Sequence, residues 1–75
     1  MNATPRKIYV ALLHEGTAVW RPTLAEPCGG NTFLVLGPLP ENEQWEFAPG
    51  TLVQVAERVF AGGERALVAV AANHA

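Results

Sequence analysis

The sequence predicts an all-β fold, a small antiparallel barrel of five to six strands built around two similar hairpins. Three observations carry that expectation. A Gly-Thr corner, a Gly-Gly pair and, at the same offset from it, a Leu-Val step recur in order, as Gly16-Thr17, Gly29-Gly30 and Leu34-Val35, then as Gly50-Thr51, Gly62-Gly63 and Leu67-Val68. β-Branched and aromatic residues alternate through the segments between these punctuation marks, the period of a half-buried strand. Short apolar runs also recur at roughly 8–15-residue spacing, which a closed barrel satisfies without exposing long sheet edges.

Each element follows from its residues. Met1–Pro5 is polar and is expected to fray. Lys7–Leu13 reads as the first strand, with Ile8, Val10 and Leu12 on one face and Tyr9, Ala11 and Leu13 on the other. His14–Thr17 turns the chain into a second strand, Ala18–Glu26. Pro22 has no N–H to give and must mark an edge, a bulge or a bend there. The first repeat interval is one residue longer than the second, which also suggests a bulge in this half. Pro27–Gly30 is turn chemistry, and Asn31–Leu36 reads as the third strand, with Phe33 and Val35 facing together.

Gly37–Gln44 is the longest irregular connection, and Trp45-Glu46-Phe47 alternates apolar, polar, apolar before Pro49-Gly50. Thr51–Phe60 and Arg65–Ala71 complete the second hairpin around Gly62-Gly63, and Asn73-His74-Ala75 is a tail. Alanine content favours helix in the last segment, but the alternating valines and the close Gly-Gly pair favour strands. An SH3-like barrel fits this length best. A five-stranded OB-type barrel is the alternative, and it ordinarily needs more residues and a helix after the third strand.

Composition bounds the function classes. Seventy-five residues make one domain, 1–75, with an ordered core expected over about 7–71. A chain this short buries only about 60% of its unfolded surface. Cys28 is the sole cysteine, so neither an internal disulfide nor a Cys-rich zinc site can staple it. Yet 49% of the residues are hydrophobic and 16% charged. Apolar surface in excess of what a small barrel can enclose points to a homodimer or another protein partner. The net charge of −2 argues against nucleic acid. The longest N-terminal apolar run, Ile8–Leu13, is too short for a membrane span or an export signal, so a cytoplasmic location is expected.

Catalytic constellations are sparse. The glycine pairs lack the Lys-Ser/Thr ending of a phosphate loop. His14 and His74 offer no convergent ligand set, so no metal or cofactor is expected. Cys28 and His14 lack a third group to orient them as a nucleophile pair. Glu26, Glu46, Glu57 and Glu64 read as the solvent side of the sheet.

The aromatics carry more. Trp20, Trp45, Phe47 and Tyr9 are many large rings for one small domain, able to stack a base, grip a peptide or close the barrel ends. The binding candidates are Trp20 and Arg21 as interface anchors, Tyr9 beside them, and Trp45 and Phe47 either beside them or closing the barrel. Leu67 and Ala69 are expected to point inward and Val68 and Val70 outward. Doubly apolar first and last strands are buried twice, by core and by partner.

The run Glu15-Gly16-Thr17-Ala18-Val19-Trp20-Arg21-Pro22, with Trp45-Glu46-Phe47-Ala48-Pro49-Gly50 downstream and Leu67–Val70 at the end, resembles a group of small uncharacterised bacterial proteins. The resemblance, an EGT-x-VWRP start and a WEF-x-PG middle, spans about residues 7–71. It implies fold markers and no catalytic role, and a setting among the cargo of mobile elements such as integron gene cassettes. The expected function is therefore a non-catalytic small barrel that self-associates or binds protein. The alternative is a nucleic-acid-binding barrel that stacks bases on Trp20, Tyr9 and Trp45. A small-ligand or enzyme role is the third possibility.

Overall fold

Five segments in which apolar side chains alternate with polar or smaller ones form strands: β1 (Arg6–Ala11), β2 (Trp20–Pro27), β3 (Thr32–Gly37), β4 (Leu52–Val59) and β5 (Arg65–Ala71). The computed structural model describes residues 4–17 and 19–72. The expected tail with His74, the first three residues and Ala18 lie outside them. The strands close into a barrel in chain order, β1-β2-β3-β4-β5. Neighbours in sequence pair antiparallel, from Arg6↔Ala25 to Ala11↔Trp20 in the first pair and from Val53↔Ala71 to Val59↔Arg65 in the last. An odd-numbered meander brings its first and last strands together running the same way, and Tyr9↔Val68 is that parallel seam.

This is the expected all-β small barrel with two similar hairpins. The OB-type alternative does not form, because the strand order is sequential and the described residues contain no helix.

The period of two sorts the side chains. Ile8 and Val10 from β1, Ala25 from β2, Phe33 and Val35 from β3, Val53 and Val55 from β4 and Ala69 from β5 fill the interior. Leu67 packs against them from the inward face of β5, as its alternation with Val68 requires. Of the five to six strands expected, five form, and the alternating Trp45-Glu46-Phe47 segment adds a short rung. Leu12 bridges Trp45, with Leu13 N–H donating to Gln44 O at 2.7 Å and Glu46 N–H to Ala11 O at 2.8 Å. That rung swings Trp45 into the core and Phe47 against it, so both rings close one mouth of the barrel.

Both Gly-Gly pairs turn three-residue loops. Phe60 N–H reaches Glu64 O and Gly63 N–H reaches Phe60 O, each at 2.8 Å. Gly63, at φ 86°, takes the left-handed position that such a loop needs before the returning strand. In the other hairpin Cys28 N–H donates to Thr32 O at 2.9 Å, but the inner turn is set one residue later, from Thr32 N–H to Gly29 O. The Asn31 side-chain amide then donates to Val55 O at 2.6 Å and ties this loop to β4.

Of the edge, bulge or bend expected at Pro22, the structure has the edge. Pro22 pairs in register with Tyr9, in a part of β2 that runs beyond the β3 ladder and so forms an edge. The register slips instead between Leu24↔Gly37 and Ala25↔Val35, with Leu36 as the extra residue. β3 ends there at Gly37, whose φ of 89° turns the chain away, and the Gly37–Pro38 peptide is cis.

Candidate functional site

The sequence candidates divide between two regions. Tyr9 and Trp20 lie on the outer face of the barrel, since Tyr9↔Pro22 and Ala11↔Trp20 alternate with the inward Ile8 and Val10. Phe60, which follows β4, sits between them. Its ring centroid is 5.2 Å from that of Tyr9, at 86°, and 6.2 Å from that of Trp20, at 34°. Arg58 lies 5.3 Å above the Trp20 ring and Lys7 Nζ 5.6 Å from the Tyr9 ring. Val68 points outward as expected, but it is only 5% exposed and lies outside the barrel core cluster. Val70 is half-buried. The rings thus roof the parallel seam, the least extensively paired junction of the barrel.

Arg21 belongs to the other region. Its guanidinium forks onto Glu43, with Nε donating to Oε1 at 3.2 Å and Nη2 to Oε2. Trp45 Nε1–H donates to the same carboxylate at 2.9 Å. These bonds hold the Glu43 carboxyl below its ordinary range, the Arg21 bonds first and the indole bond second. Arg21 therefore anchors the Trp45 loop from within the chain.

No family model, curated protein or solved structure matches this chain. The residues themselves carry the functional reading.

Besides Leu13, Leu39 and Val59, exposed apolar surface lies on β2, β3 and β4, where sequence reasoning did not place it. Leu24 on β2, Leu34 and Leu36 on β3, and Leu52 on β4 alternate with the inward Ala25, Phe33, Val35 and Val53, so all four face outward. Leu34 lies opposite Leu52. Leu24, Leu36 and Leu52 are 49%, 39% and 53% exposed. Beside Leu24 an open recess of 320 Å³ is lined by Pro22, Thr23, Gly37, Pro38 and the Lys7 stem. The outward alternation of these leucines was visible in the sequence. The bulge at Leu36 and the recess beside Leu24 were not. Among the described residues no three His, Cys, Asp or Glu side chains converge, and Cys28 is exposed.

Proposed function

We propose that the chain is a non-catalytic β-barrel module, acting in the cytoplasm, that binds a second copy of itself through the outer face of β2, β3 and β4. The observation that carries this reading is a face holding both projecting leucines and an apolar recess. A two-fold interface presents the same patch twice, so a patch with knobs and a socket can be complementary to itself.

Light scattering or sedimentation at rising concentration tests the reading. The wild type is expected at twice the monomer mass, and Leu24→Glu or Leu52→Glu at the monomer mass with the circular dichroism of the folded barrel. A wild-type chain that stays monomeric at high concentration refutes it. A dimer untouched by both substitutions refutes this face, and Trp20→Ala then tests the outer aromatic face.

A further inference from the structure

Below Tyr9↔Val68 the parallel strands diverge, and the gap is a cleft of 240 Å³ between the start of β1 and the β4–β5 hairpin. Arg6, Lys7 and Arg65 line it, three of the five basic residues of a net-negative chain, together with Tyr9, Phe60 and Glu64. Arg58 extends the same surface over Trp20. Arg6, Lys7 and Arg65 set against Glu64 leave the lining of the cleft positive by two. A recess lined by one dominant sign concentrates the field of its side chains.

The geometry points to this cleft as a binding site for a phosphate monoester carried on a flat ring, the chemistry of a mononucleotide. A phosphate monoester carries about −1.5 to −2 at neutral pH, which matches the local excess of two. Arg6 and Arg65 offer planar forks that suit phosphate oxygens, and Lys7 adds a point charge. Arg65 is free to turn inward, since its contact with Glu57 is long, 3.9 Å, and both side chains are largely exposed. Tyr9 and Phe60 stand at 86° to each other and line the same cleft. They form a corner in which a flat ring lies against the face of one and the edge of the other. The volume suits one phosphate and one ring and leaves no track for a polymer. Lys7 lies between the cleft and the leucine-side recess, whereas Arg6, Tyr9, Phe60 and Arg65 line the cleft alone.

The experiment is an NMR titration of the folded chain with adenosine monophosphate, adenosine, inorganic phosphate and a short single-stranded DNA oligonucleotide. The monophosphate is expected to shift the amides of Arg6–Tyr9 and Glu64–Leu67 and to bind about tenfold more tightly than phosphate or adenosine alone. Arg6→Gln and Arg65→Gln, both on exposed side chains, are each expected to weaken it by about five- to tenfold. Phe60→Leu removes the preference for the nucleotide over phosphate. Shifts at neither segment at millimolar ligand overturn the proposal, as does equal binding of phosphate and nucleotide. Much tighter binding of the oligonucleotide, weakened by Trp20→Ala, overturns it in favour of a single-stranded nucleic-acid surface.

Discussion

The indole N–H of Trp45 and the guanidinium of Arg21 meet on a single carboxylate, that of Glu43. One loop residue therefore joins the outer edge of β2 to the ring that plugs the barrel mouth. Both bonds favour the ionised acid, so its folded pKa lies below the ordinary value of 4.5. A group depressed on folding contributes stability above its unfolded pKa and loses that contribution as pH falls through the folded value. Melting temperature is expected to drop as pH falls below 4.5. Glu43→Gln should lower it at neutral pH and flatten that acid limb. An unchanged acid limb in the variant removes Glu43 from this role.

Gly37 is expected to be the least replaceable glycine. At φ 89°, a Cβ added there meets Pro49 Cγ at 2.8 Å and Leu39 N at 3.2 Å. Gly37→Ala adds this collision to backbone strain and should cost about 2–3 kcal/mol in urea unfolding. Gly63→Ala carries the strain alone, since nothing lies within 4 Å of its Cβ, and should cost about 1–2 kcal/mol. Equal losses at both positions would count against the Pro49 contact.

Phe60 bridges Tyr9 and Trp20 over the seam. Its ring is half-buried, so Phe60→Ala should cost about 2 kcal/mol, below the range for a fully buried ring. Trp20 emission should shift to the red as its neighbour is lost. A stability loss without that shift would mean that the two rings do not pack in solution.

Thr23 faces inward between Ile8 and the recess, and its Oγ1 is buried with no hydrogen-bond partner among the described residues. Thr23→Val keeps the shape and removes the orphaned hydroxyl, so it should stabilise the barrel by about 1 kcal/mol. Destabilisation by the same substitution would show that the hydroxyl is satisfied.

Turn chemistry and alternation were local signals, and they were legible. Gly29-Gly30 and Gly62-Gly63 marked the loops, and Ile8 with Val10, Phe33 with Val35 and Val53 with Val55 already stood on shared faces, which the structure turns inward. Long-range pairing was not legible. Nothing near Val68 in sequence reveals that Tyr9 lies opposite it. Nor does anything show that Phe60, on a different strand end, reaches across to Trp20. The same holds for Arg6 and Arg65, which share a cleft only after the last strand meets the first. Pro22 signalled the edge in β2, but the bulge lies at Leu36 on β3, across from Leu24 and Ala25, and no residue of β2 announced it.

The parity of the meander reaches beyond packing. Because the outermost strands run the same way, the chain enters at one rim and leaves at the other, about 20 Å away for strands of six or seven residues. A short tether cannot stitch these ends into a circle. Copies fused tail to head would extend as a string of beads, each handing the polypeptide onward without doubling back.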